Sequence, residues 1–208
     1  LGYAIWLVPS DTETAALSKL MELHPKSYTQ DSQSHSYPSF DPHITLVTFD
    51  KLPSSFNLES ISLDLLTLPV VHFDSIKRGN SYLGAFSIVI SPVSELMPLH
   101  DTVTSHLDVL SISWKSRSFP HMSLFYIDKP DKRDRLHAEL INERRIQGDE
   151  CLMLTASLSM EVTTFTGSEI WLVDCMCSVK RWQVIVKRSL VSPAPPSLLK
   201  EEIPQKQT

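Results

Sequence analysis

Tyr3 to Val8, YAIWLV, is an unbroken apolar run of strand length. After it Ser10-Asp11-Thr12-Glu13 has the spacing of a capping box, with apolar residues recurring at helical intervals at Ala16, Leu17, Leu20 and Leu23. A strand followed by a helix is predicted. Residues 24–41, HPKSYTQDSQSHSYPSFD, are polar, contain proline and carry no period, which predicts a long loop. HITLVTF then alternates as a strand, with Ile44, Leu46 and Thr48 on one face and His43, Thr45 and Val47 on the other. A helix is expected through Leu58 to Leu66. Two strands joined at Arg78-Gly79-Asn80 follow, the second directing Phe86, Ile88 and Ile90 to one side. Ser91-Pro92 opens a helix whose buried stripe is Leu96, Leu99, Val103 and Leu107. HMSLFYI is the next strand, and a charged amphipathic helix is expected over Asp131 to Gln147. Three more strands are predicted, Leu152 to Phe165, Glu169 to Cys175 and Trp182 to Leu190. This order of elements suggests an α+β fold with mostly antiparallel sheet. Residues 1–190 read as one domain, and residues 191–208, which are rich in proline and polar residues, as a disordered tail.

Composition narrows the function more than the fold. With 208 residues, 42% hydrophobic and 21% charged, the chain can bury a sizeable core. A net charge of −5 opposes coating of nucleic acid, which needs a basic surface, so no stable nucleic-acid partner is expected. Cys151, Cys175 and Cys177 are too few and too clustered for a disulfide framework, and are read as reduced core or strand cysteines. No apolar run reaches membrane-span length, and the first residues do not read as a signal peptide. The expected location is cytoplasmic, with Golgi association as the alternative, and the expected state is monomeric.

One phrase is written twice: PHITL at 42–46 and PHMSL at 120–124. On a strand, residues i and i+2 share a face, so His43 with Thr45 and His121 with Ser123 each set an imidazole beside a hydroxyl. The proline before each histidine favours an extended entry. His100-Asp101-Thr102 repeats the spacing in a helical pattern, where i and i+2 face apart, while His24, His35, His72, His106 and His137 lack even the spacing. An imidazole titrates near 6.5, so two of them across a cleft can serve as proton acceptor and proton donor. Hydroxyls beside them can donate to the non-bridging oxygens of a phosphodiester. No metal-binding motif accompanies the doublet, and neither metal nor cofactor is expected.

Two H-x-[ST]-L motifs, each on a strand, resemble those of the two-histidine (2H) phosphoesterase superfamily. The YAIWLVP opening and the tyrosine of HMSLFY are similar to the cyclic nucleotide phosphodiesterases (CPDases) of fungi and plants. The resemblance implies a bilobal fold: a pseudo-twofold pair of antiparallel sheets with outer helices and one motif strand per lobe lining a central cleft. It implies hydrolysis of 2′,3′-cyclic nucleotides to 2′-phosphates and of ADP-ribose 1″,2″-cyclic phosphate, a tRNA-splicing by-product, to the 1″-phosphate. His43 and His121 would be catalytic, and Thr45 and Ser123 would hold the phosphate. Tyr126, Trp6 and Tyr82 would bind substrate, the partner being a small cyclic-phosphate nucleotide. Tyr126 lies three residues past Ser123, off its face in a regular strand, and is taken from the resemblance. Lys115 and Arg117 read as solvated loop charge. The alternatives are an RNA-end-processing phosphodiesterase of the same superfamily and a non-catalytic nucleotide-binding module.

Overall fold

The structure is a computed structural model that describes residues 2–25, 34–63, 68–91, 96–148, 152–157 and 160–190. Strand β1 (Tyr3–Pro9) runs directly into helix α1 (Asp11–Met21), which starts in the expected capping box. The Ser10 amide and hydroxyl both donate to one Glu13 carboxylate oxygen, at 3.2 and 2.6 Å, and the other oxygen accepts the Thr166 amide at 2.9 Å. Strand β2 (Ile44–Phe49) follows. The helix expected over Leu58 to Leu66 is a single 3₁₀ turn, Leu58–Ser60, after which Ile61 is extended; Asp64 to Leu66 lie outside the described residues. The Arg188 guanidinium explains the stop, because it occupies the carbonyls of Leu58 and Ile61, at 2.9 and 2.6 Å, that a longer helix would use internally.

Strands β3 (Val70–Arg78) and β4 (Phe86–Ile90) form the expected hairpin. Its loop closes tightly, since a Cβ on Gly79 would collide with the Gly84 carbonyl oxygen. Helix α2 is described from Leu96 to Val109, and its predicted stripe is buried; its expected start at Ser91-Pro92 falls partly outside the described residues. After the two-residue strand β5 (Trp114–Lys115), β6 (His121–Phe125) carries the second motif. Helix α3 (Pro130–Asn142) ends earlier than predicted. Arg144 turns left-handed with φ 56°, and the Arg145 amide returns to the Leu140 carbonyl at 2.8 Å. Ile146–Gln147 is therefore not helix but strand β7, paired with β8 (Met153–Ser157). The single strand expected over Leu152 to Phe165 is divided into β8, β9 (Met160–Val162) and the start of β10 (Thr164–Asp174), which absorbs most of the next predicted strand. Strand β11 (Gln183–Ser189) is the last element, and the expected tail lies outside the described residues.

Every strand pairing is antiparallel among the described residues, and the fold is α+β. Six strands pair in the cyclic order β1-β10-β3-β4-β6-β2 and back to β1, with β11 on β10 and β5 on β2; strands β7, β8 and β9 form a separate small sheet. Two seams in this ring are narrow. Strand β10 meets β3 over only Thr164–Thr166, and β2 meets β6 at the single pair Ile44 and Met122. The apolar stripes of all three helices join the main core with Phe73, Phe86, Phe125 and Phe165. A second apolar cluster, Ala4, Trp6, Val8, Trp171, Val173 and Cys175, occupies the other face of β1 and β10.

Both motif strands carry a bulge at the same letter of the phrase. Along β1, Trp6 faces Thr45 but Ile5 faces Val47, so Leu46 is an extra residue. Along β4, Ser87 faces Ser123 but Phe86 faces Phe125, so Leu124 is extra. An extra residue reverses the alternation beyond it. The expected grouping of Val47 with His43 and Thr45 is thereby corrected: Val47 is wholly buried in the main core, and Thr48 lies across from Ala4 on the second face.

Candidate functional site

Ile44 and Met122 are fully buried in the core, so the residues beside them face the other way. Continued one residue in each direction, their antiparallel register sets His43 across from Ser123 and Thr45 across from His121. Each motif's imidazole therefore lies opposite the other motif's hydroxyl.

The two rings are held alike. His43 immediately precedes β2, and its Nδ1–H donates to the Asp41 carbonyl at 2.7 Å. His121 opens β6, and its Nδ1–H donates to the Ser118 carbonyl, also at 2.7 Å. A carbonyl only accepts, so Nδ1 carries the proton and Nε2 keeps its lone pair in both neutral rings. Burial drives the His43 pKa down to about 4; the Asp41 carbonyl opposes this, and positive charge on His121 lowers it further. His121 is also lowered, first by burial and then by Lys77, against the opposing Ser118 carbonyl. Both rings are thus neutral at pH 7 in the unliganded protein.

Aromatic rings surround the first histidine. Trp6, only 3% exposed, stacks on His43 with centroids 3.6 Å apart and 11° between planes. Its face is turned to the imidazole rather than left open as a platform for a base. Phe40 stacks on Tyr126 at 4.3 Å and sets its edge to His43 at 6.0 Å. Tyr82 tilts against Tyr126 at 5.7 Å, and Trp182 is edge-on to both Trp6 and Tyr126. The sequence offered Trp6, Tyr82 and Tyr126, and the fold brings all three together. Tyr126 reaches the Ser123 face because the bulge at Leu124 shifts the phase, and the Ser123 side chain is near enough to its phenol to lower its pKa, an effect that burial outweighs. Burial raises the phenol's pKa well above its ordinary value, so it stays protonated. Tyr82 lies in the β3–β4 loop rather than on the strand itself. Phe40 and Trp182 were not anticipated. The only sequence signal for Phe40 is a large ring three residues before the motif in an otherwise polar stretch, and for Trp182 a ring at the head of a strand.

The segment from Ser34 to His43 is tied down at several points. Asp128 accepts the hydroxyls of Ser36 and Ser34, the latter at 3.1 Å, and its own amide donates to Ser36 Oγ at 3.0 Å. Lys132 Nζ donates to Ser34 Oγ at 2.8 Å. The Tyr37 amide donates to the Tyr126 carbonyl and the Tyr82 hydroxyl to the His35 carbonyl, each at 2.8 Å. Burial alone would raise the Asp128 pKa, but the Ser36 and Ser34 hydroxyls and Lys132 together hold it below the ordinary carboxylate value. The segment that supplies Phe40 and the carbonyl for His43 is thereby fixed to the end of β6.

His100 has a structural task. Its Nε2–H reaches Ser116 Oγ at 2.8 Å, and that hydroxyl donates to the Leu46 carbonyl at the first bulge, also at 2.8 Å. Lys115 pairs with Asp50 at 3.6 Å, and Arg117 is exposed. Cys175 is buried and free and Cys177 exposed and free; Cys151 lies outside the described residues. Among the described residues no group of three or more His, Cys, Asp or Glu side chains is arranged to hold a metal ion, and no helix is long and apolar enough to cross a membrane.

Compared with protein-family models, residues 1–190 match the family described as cyclic phosphodiesterase-like protein. No curated protein matches the chain.

Proposed function

Because the chain belongs to the cyclic phosphodiesterase-like family, we propose that it hydrolyses 2′,3′-cyclic nucleotides to nucleoside 2′-phosphates by acid–base chemistry between His43 and His121. The reciprocal placement of each imidazole across from the other motif's hydroxyl carries this reading. Water attacks phosphorus in line with the departing ribose 3′-oxygen. One unprotonated Nε2 takes a proton from the water as the new P–O bond forms. The other ring, which takes up a proton at Nε2 when the anionic phosphate lies between the two imidazoles and raises their pKa values, gives that proton to the 3′-oxygen as the old P–O bond breaks. Solvent exchange then returns both rings to their starting states. Both rings expose the same nitrogen and are held by the same kind of bond, so the orientation of the substrate across the pair decides which acts as base.

Thr45 and Ser123 donate to the non-bridging oxygens, where negative charge resides during displacement. Trp6 holds the His43 ring in place, and Tyr126, buried with Phe40 stacked on its face, positions the half-exposed Tyr82, which flanks the ribose or base. Two lobes related by a pseudo-twofold, each giving one motif, account for the matching bulges of β2 on β1 and β6 on β4. ADP-ribose 1″,2″-cyclic phosphate presents the same five-membered cyclic diester and is the second substrate. Histidine and hydroxyl groups fill each role, so activity is expected to persist in excess chelator.

The direct test is hydrolysis of adenosine 2′,3′-cyclic phosphate beside a short RNA ending in a cyclic phosphate, with the product position determined. Wild type should favour the mononucleotide and give the 2′-phosphate. His43→Ala and His121→Ala should each lose at least about a hundredfold in turnover while staying folded. A well-folded variant of either kind with nearly full activity refutes the mechanism.

A further inference from the structure

Strand β3 belongs to neither motif, yet its register brings a lysine to their side of the sheet. Lys77 pairs across to Ser87, and Ser87 pairs across to Ser123. Directly opposed residues on antiparallel strands share a face, so Lys77, Ser87 and Ser123 form a row on the face of His121, with Val89 across from His121 itself. Ser87 is a hydroxyl only 6% exposed, whereas Lys77 is exposed at the outer end of the row.

Beyond Phe73 the far edge of β3 has no strand partner among the described residues, because β10 pairs only with Val70–His72. A cavity of about 680 Å³ opens along that edge, with Lys77, Arg78, Asn80, Val89, Arg133 and Asp134 in its wall. This volume falls in the range of ordinary small-ligand sites. Its cations are unequal. Arg78 is paired with Asp134 at 2.9 Å. Arg133 donates to the Ile127 carbonyl through Nε and Nη2, and to the Gly79 carbonyl through Nη1. Lys77 makes no ion pair among the described residues, and its charge is felt at His121.

We propose that Lys77, at the mouth of this groove, binds a phosphate group of the substrate other than the scissile one, and so selects cyclic phosphates that carry additional anionic charge. The inference rests on the proposed activity for the placement of the scissile phosphate between the two motifs. It adds a specificity residue that neither motif contains. A 5′-phosphate and a pyrophosphate bridge offer the same chemistry to Lys77.

Binding can be read without turnover. Titration calorimetry compares adenosine 2′-phosphate with adenosine 2′,5′-bisphosphate on wild type, Lys77→Ala and Lys77→Arg. The alanine variant should weaken the bisphosphate at least about tenfold more than the monophosphate, with arginine restoring most of the difference. In wild type the bisphosphate's advantage should shrink as salt rises, because Lys77 is exposed and its charge is screened. Steady-state KM values for adenosine 2′,3′-cyclic phosphate, its 5′-phosphorylated form and ADP-ribose 1″,2″-cyclic phosphate then separate the two sources, according to which of the latter two suffers most from Lys77→Ala. Equal weakening of both ligands, or of neither, overturns the proposal. If wild type turned over none of the cyclic phosphates while the two dissociation constants still separated, the catalytic reading would fall and the anion site would stand.

Discussion

His43 can be replaced by asparagine to test whether the fold keeps its first motif imidazole uncharged. Asparagine places an amide nitrogen where Nδ1 lies, so it can keep the donor to the Asp41 carbonyl, and it cannot titrate. In the unfolded chain the imidazole binds its proton near the ordinary 6.5, and in the folded protein only near 4. Between those values the unfolded state holds more protons, so stability is complete above pH 6.5 and is lost as pH falls toward 4. The size follows from the two values: about 2 kcal/mol has gone by pH 5 and about 3 kcal/mol by pH 4. Urea denaturation of wild type and His43→Asn at pH 7.5 and pH 5 measures it. The smaller side chain costs stability at both values and cancels in the comparison. His121 and the carboxylates titrate in both proteins and largely cancel as well. The wild type should therefore lose about 2 kcal/mol more than the variant on moving to pH 5. Parallel losses would mean that His43 accepts a proton as easily folded as unfolded, and the argument from burial would be wrong.

Three further outcomes are expected. Thr45→Ala or Ser123→Ala should lower kcat on the order of a hundredfold while leaving both limbs of the pH profile in place, since neither hydroxyl titrates there; a displaced limb would count against a purely phosphate-holding role. Phe40→Ala removes a stacked partner of Tyr126 and an edge partner of His43, a contribution of about 0.5–1.5 kcal/mol. It should cut kcat/KM up to about tenfold and lower the melting temperature by a few degrees, and unchanged kinetics would remove Phe40 from the site. Finally, both histidine pKa values lie below the ordinary value in the unliganded protein, and an anionic phosphate between the rings raises them. The bell for kcat/KM should thus centre below pH 6.5 and the bell for kcat at higher pH, with limbs belonging to the coupled pair; superimposed bells above pH 7 would contradict this.

The sequence disclosed what depends on local period and concealed what depends on distant partners. The two motifs, the first strand and its capped helix, and the stripe of α2 were all legible because each is a short-range pattern. The bulges were not. Leu46 and Val47 are both apolar, so an extra residue leaves no mark on the alternation, and Thr48 was assigned to the wrong face. The same invisible step made Tyr126 look misplaced, although it is the bulge at Leu124 that delivers it to Ser123. The helix expected from Leu58 stops for a cause far along the chain, the guanidinium of Arg188. Arg144 ends α3 in a left-handed turn without the glycine that usually marks one. Phe40 has a role only because the end of β6 anchors its segment, and Lys77 only through two successive strand registers.

The ring of strands determines where the protein can breathe. Each motif strand has a neighbour on both sides, whereas β5, β11 and the outer half of β3 are borders, so backbone amides of the borders should exchange with solvent first. Between the motif strands themselves there is one weak point. A fluctuation that parts Ile44 from Met122 would draw His43 from Ser123 and Thr45 from His121 in a single event, because this one backbone pairing is all that joins β2 to β6 among the described residues.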